Sequence, residues 1–179
     1  MSRGTQRQKD AYLALQEIQI FNLLQEYAPI LAGTVPIDID LPKSDLDIIC
    51  EVYYFERFKR VVTEYFGSME GFKCSVKTVN HIDRIVLNFT YKDWPIEIFG
   101  QPINTLQQNG YKHMVIEDRM LSIIGEEGKE QIRRLKQSGL KTEPAFGQLL
   151  GIIGDPYEKL LEMVEWEETR LIEFIRGNI

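Results

Sequence analysis

Gly33-Thr34 and, about ten residues on, Ser44-Asp45-Leu46-Asp47-Ile48-Ile49-Cys50 form the stretch whose reading decides the fold. From Leu46 to Tyr53 the chain is rich in apolar residues and short enough to predict a strand. Side chains two apart on a strand share a face and lie about 6–7 Å apart along it, so Asp45 and Asp47 are expected side by side. Two like charges at that spacing raise each other's pKa unless a cation neutralises them. A divalent metal is the simplest reason for building the pair.

Working outward, a third acid matches. Glu97 stands in Trp94-Pro95-Ile96-Glu97-Ile98-Phe99 on a second short apolar segment. With Ile96 and Ile98 directed into a core, Glu97 takes the opposite face, and if the two strands are neighbours it joins Asp45 and Asp47. Oxygen-only ligands suit Mg²⁺ or Mn²⁺ rather than zinc. Two such ions can clamp a triphosphate and activate a hydroxyl for in-line attack.

The rest of the chain supplies an α+β frame. The spacing of Leu13, Ile18, Phe21 and Leu24 predicts a helix over Gln6 to Tyr27, ended by Pro29. Ile30-Leu31-Ala32 is a short strand running into Gly33. Pro36 and Pro42 exclude a continuous helix or central strand after Thr34, leaving a structured loop. A helix over Glu56 to Phe66 presents Phe58, Val61, Val62 and Tyr65. Phe72 to Val79 reads as a strand near an edge. Arg84 to Tyr91 and Ile96 to Gln101 read as an antiparallel hairpin turning at Lys92 to Pro95. Beyond residue 104 the pattern is helical: Gln108 to Ile124 stopping at Gly125, Glu127 to Ser138, one helix opened by Thr142-Glu143-Pro144, and one from Asp155-Pro156 to Arg176. The expectation is a mixed sheet of four to five strands with an N-terminal helix and a C-terminal helical region. Residues 1–104 form a core and residues 105–179 pack on it.

Composition narrows the function. A net charge of −6 argues against a nonspecific nucleic-acid footprint. Cys50 and Cys74 belong to no Cys/His cluster, which argues against structural zinc and a disulfide scaffold, and Cys50 reads as a core residue. The polar N-terminus and the absence of an apolar run of about 18 residues predict a cytoplasmic protein without a membrane span.

The arrangement Gly33-Thr34, Asp45-Leu46-Asp47 and Glu97 resembles the nucleotidyltransferase superfamily with the DNA-polymerase-β-like fold. Its pattern is Gly-Ser, about ten residues, Asp-x-Asp, then a third acid on a later strand. The likeness extends to Gly33-Thr34-Val35-Pro36-Ile37, Trp94 to Gln101, Tyr111-Lys112-His113-Met114 and Lys141 to Phe146, which resemble an uncharacterised bacterial family known as a domain of unknown function in the same clan. The resemblance implies a Mg²⁺- or Mn²⁺-dependent transfer of a nucleoside monophosphate from an NTP to a hydroxyl acceptor: a small molecule, protein or RNA. It makes Asp45, Asp47 and Glu97 the catalytic and metal-binding residues, and Gly33, Thr34 and Ser44 the nucleotide-binding ones. Val35-Pro36-Ile37-Asp38 departs from the family, because Asp38 and Asp40 do not favour phosphate. That departure keeps open a catalytically inactive binding or regulatory protein of the same fold. An interaction protein docking through its acidic helices is the remaining rival.

Arg84, Lys92, Lys112 and Arg119 are candidate triphosphate contacts, and His113 could reach a phosphate or an acceptor. Lys129, Arg133, Arg134 and Lys136 read as a basic helix face paired with the chain's acids. Trp94 either stacks on a base or closes the hairpin. Glu162, Glu165, Glu167 and Glu168 read as a solvated face.

Overall fold

Thr5 Oγ1 accepts the Gln8 N–H and Gln8 Oε1 accepts the Thr5 N–H, a reciprocal capping box that starts α1 (Gln6–Glu17). It is seen in a computed structural model that describes residues 1–179. The single helix expected through Tyr27 is broken. Gln19 is left-handed (φ 51°), followed by α2 (Ile20–Leu23) and a 3₁₀ turn (Gln25–Tyr27). Ile18 and Ile20 lie on opposite sides of any straight helix, and the break lets both enter the core. Leu13, expected on the apolar stripe, is 55% exposed; Ala11, Ala14 and Leu15 fill the face instead.

The strands are β1 (Ile30–Ala32), β2 (Leu46–Glu51), β3 (Glu70–Val79), β4 (Ile82–Tyr91) and β5 (Trp94–Gln101), with α3 (Phe55–Phe66) between β2 and β3. They form one mixed sheet in the order β1-β2-β5-β4-β3, in which β2 and β5 are parallel and the other neighbours antiparallel. β3 is the exposed edge that the sequence led one to expect. The β4–β5 turn is shorter than expected. Lys92 (φ 54°) and Asp93 make it alone, while Trp94 and Pro95 are already in the strand. Pro95 is tolerated because β2 joins β5 only from Ile96 onward, so its missing N–H costs no ladder bond on that side. α3 buries Phe58, Val62 and Phe66, whereas Tyr65 is exposed. Trp94 is buried in this core with the Arg7 guanidinium 4.2 Å above its ring, which decides for hairpin closure over base stacking.

A second apolar cluster lies among α4 (Asn109–Gln137), α5 (Thr142–Leu149), α6 (Pro156–Met163) and α7 (Glu168–Asn178). α4 is interrupted where expected, at Gly125 (φ 68°, ψ −162°). The last helix, expected to be continuous, is split after Met163. Arg119 Nη1 donates to Val164 O at 2.9 Å and Nη2 to Trp166 O at 2.7 Å, holding the intervening turn. Arg119 therefore serves structure rather than a triphosphate. No helix is long and apolar enough to cross a membrane.

The loop after Thr34 joins the two clusters. Ile37 and Ile39 are buried among the C-terminal helices. Asp38 pairs with Lys129 (3.3 Å) and Arg133 (3.0 Å), Asp40 pairs with Arg7, and Lys136 Nζ donates to Ile39 O at 2.7 Å. The two carboxylates that argued against phosphate binding are thus engaged with cations, and the basic face of α4 meets the acids as expected.

Candidate active site

Alternation along β2 and β5 builds one wall of a cleft of about 650 Å³. Leu46, Ile48, Ile96 and Ile98 are almost wholly buried on the core face. Period two then sends Asp47 and Glu97 to the other face, and the parallel register sets them directly opposite one another. Asp45 stands one residue before β2, exposed at the same cleft. Glu97 Oε2 accepts from Asn88 Nδ2 of β4 at 3.3 Å.

Gly33 follows Ala32, which pairs with Asp47, and has φ +78°. A Cβ built on it would collide with the Asp47 carboxylate. Glycine is required twice over, by the left-handed backbone and by the carboxylate packed on it. Thr34 lines the cleft, and its carbonyl accepts from Ile39 N at 3.1 Å. Ser44 also lines it, and its Oγ accepts from Leu41 N at 2.9 Å to close the turn that delivers Asp45.

The electrostatics of this wall are unfavourable as it stands. Burial first, then the charges of Asp45 and Glu97, push Asp47 up to about 7, against the opposing pull of Lys136. Burial and Asp45 raise Glu97. Nowhere do three His, Cys, Asp or Glu side chains converge on one point as ion ligands. The three carboxylates share a wall rather than a closed coordination point.

The facing wall comes from the helices and was largely missed in the sequence. His113 and Glu117 of α4, Lys136 near its end and Glu143 of α5 line the same cleft. Glu117 is 3% exposed, and burial first, then Glu143, hold its carboxyl well above the usual carboxylate range while Lys136 opposes them. Burial lowers Lys136. Burial alone would lower His113, but Glu143 Oε1 at 3.3 Å from Nδ1 and the Tyr157 carbonyl at 3.0 Å from Nε2 raise it overall. The available signal was the buried stripe of α4 itself. Positions 113, 116, 117, 120 and 121 follow helical spacing, and two of the five are ionisable. Of the four expected triphosphate contacts only Arg84 lines the cleft. Lys92 pairs with Glu17 at the hairpin turn.

Comparisons agree with this architecture. A family model described as "Domain of unknown function (DUF4269)" matches residues 13–163. The fold is similar to that of the Cid1 poly(U) polymerase with magnesium and GTP bound (TM-score 0.52, 13% identity), over 88% of this chain and 49% of that one. Cid1 with the UTP analogue UMPNPP gives a TM-score of 0.53 at 14% identity, over 88% and 47% of the two chains. The GLD-2/RNP-8 complex gives 0.52 at 8% identity, over 97% and 78%. The chain thus spans about half the length of the Cid1 chains it matches. No curated protein matches it. At identities this low the likeness, carried by the superposition, shows the fold alone: a nucleotidyltransferase-like one.

Proposed function

The chain belongs to the family described as Domain of unknown function (DUF4269), and we propose that it is a metal-dependent nucleotidyltransferase. It would transfer a nucleoside monophosphate from an NTP to a hydroxyl acceptor. The observation that carries this reading is the parallel β2–β5 register, which sets Glu97 beside Asp47 over Gly33 in one cleft. The fold likeness to Cid1, bound in one structure to magnesium and GTP, supports it.

Asp45, Asp47 and Glu97 offer only oxygen donors, and the burial of Asp47 and Glu97 with the Asp45 charge beside them suits a hard divalent cation. In this reading they hold Mg²⁺ or Mn²⁺, which supplies charge stabilisation to the transferring phosphoryl group. The Gly33-Thr34 turn holds the phosphates, with the Thr34 hydroxyl and the Arg84 guanidinium as donors. Ser44 keeps the Asp45 approach in place. Glu97 favours loss of the acceptor's hydroxyl proton. Residues 1–104 then act as the catalytic core and residues 105–179 as the acceptor side. A cytoplasmic location suits an NTP-consuming enzyme.

One observation favours the second reading, a catalytically inactive binding protein. The three carboxylates do not converge on a single point. Thermal shift of the purified protein with each of four NTPs, with and without Mn²⁺, separates the two. Metal-dependent stabilisation with turnover supports the enzyme; the same stabilisation without turnover supports the binding protein. Asp45→Asn and Asp47→Asn should each weaken Mn²⁺·NTP binding by about a hundredfold, roughly 2.7 kcal/mol, while the protein stays folded. Unchanged calorimetric titrations in these variants sink both readings.

A further inference from the structure

We propose that β3 is a docking edge, which takes an extended segment of another protein, acidic and apolar residues in alternation, as a further strand of the sheet. This edge stands whether or not the cleft transfers nucleotides.

β3 ends the sheet, pairs only with β4 and runs for ten residues. On such an edge every second residue turns its N–H and C=O outward without a partner. Proteins blunt long edges with prolines, bulges or a covering helix or loop. β3 holds no proline, its irregularity lies at its start between Glu70 and Lys73, and from Ser75 to Val79 it is exposed throughout. The opposite edge, β1, offers three residues.

The pleat specifies what the added strand must carry. Cys74 and Val76 pair with the buried Leu87 and Ile85, so they lie on the core face, where Val76 is still 48% exposed. Lys73, Ser75 and Lys77 pair with Asn88, Val86 and Arg84, on the face of the cleft. Neither lysine forms an ion pair within the chain. A neighbouring strand meets the lysines with one alternate set of side chains and Cys74 and Val76 with the other. Carboxylates in the first set and apolar groups in the second are the cross-strand pairs that stabilise a sheet.

Other occupants fit this edge less well. A second copy paired antiparallel about Ser75 sets each Lys73 directly opposite a Lys77, and like charges so placed are destabilising. Lysines on an edge deter a like strand, and the same charges favour an acidic one. Single-stranded nucleic acid binds by stacking bases on aromatic side chains. The cleft-side face of this ribbon shows Lys73, Ser75, Lys77, Arg84, Val86 and Asn88, none of them aromatic.

Fluorescence anisotropy of the whole chain with a labelled peptide, Val-Glu-Val-Glu-Val-Glu-Val, tests the assignment against a twin carrying lysine at each glutamate. The acidic peptide should bind about tenfold tighter than its twin, and Lys73→Glu with Lys77→Glu should reverse the preference. Both positions are exposed, so the variant should fold. Backbone pairing is read separately, by N-methylating either the glutamate or the valine amides of the acidic peptide. Only one set faces β3, so one methylated peptide should lose binding and the other keep it. Equal binding of the acidic and basic peptides, no binding of the acidic one, or the same response to both methylations overturns the proposal. So does tighter binding of an oligouridylate through the same two lysines, or self-association of the chain in sedimentation that competes with the peptide.

Discussion

The two walls of the cleft both carry carboxylates and differ in how the chain builds them. The sheet wall takes Asp45, Asp47 and Glu97 from two adjacent strands, so its spacing is set by backbone register. The helical wall takes His113, Glu117, Lys136 and Glu143 from two helices, one of them kinked at Gly125, so tertiary packing sets its spacing. On the sheet wall like charges crowd with little local compensation. On the helical wall Lys136 and His113 lie among the acids. A wall built to repel itself suits a cation brought from outside, whereas a wall already part-balanced suits discrimination among ligands.

The comparison breaks most readily at Gly33. Gly33→Ala forces a side chain into left-handed backbone and against the Asp47 carboxylate. A loss of about 3–5 kcal/mol is expected, summing backbone strain and overpacking. Gly125 has a comparable positive φ but open space around its Cβ position, so Gly125→Ala should cost only the backbone share, about 1–2 kcal/mol. Urea denaturation of both variants measures the difference. Equal losses would show that Asp47 does not press on Gly33.

The same contrast explains what was legible. Strand alternation is local, so Asp47, Glu97, Ile96 and Ile98 could be assigned to faces before any contact was known. The turn at Gly33 and the stop at Gly125 were visible for the same reason. Breaks with tertiary causes were not. Gln19 turns so that Ile18 and Ile20 both enter the core, and the 164–166 turn is held by Arg119 from 45 residues away. Glu117 was hidden in plain view on an apolar stripe, because its meaning depends on Glu143 and Lys136, which lie on other turns of the fold.

Acidity sharpens the contrast next. Folded Asp47 keeps its proton to about pH 7, whereas the unfolded chain releases it near 3.8. Between those values the folded state holds the extra proton, so this group's contribution to stability falls as pH rises. At 1.4 kcal/mol per unit the loss reaches about 2–4 kcal/mol across the window. Melting curves of the metal-free protein from about pH 4 to pH 7 should show a decline that Asp47→Asn flattens. With Mn²⁺ bound, the ion displaces the proton and the wild-type decline should shrink or reverse. An identical pH slope in wild type and Asp47→Asn would remove the sheet wall from the account.

Lys136 is where the two walls meet, and it gives the smallest effect and the most direct measure of their coupling. Its charge opposes the upward shifts of both Asp47 and Glu117, and its Nζ also holds Ile39 O. Lys136→Met removes the charge and the hydrogen bond and should cost about 2–3 kcal/mol. Glu117→Gln alone relieves a buried carboxyl and should be close to neutral. If Lys136 compensates Glu117, the double variant recovers about 1 kcal/mol of the Lys136→Met loss, a coupling energy a double-mutant cycle resolves. The same cycle with Asp47→Asn tests the opposite wall. Coupling to Glu117 alone confines Lys136 to the helical wall, coupling to Asp47 alone makes it part of the sheet wall, and coupling to both makes the cleft one electrostatic unit, in which a cation bound at one wall alters what the other accepts.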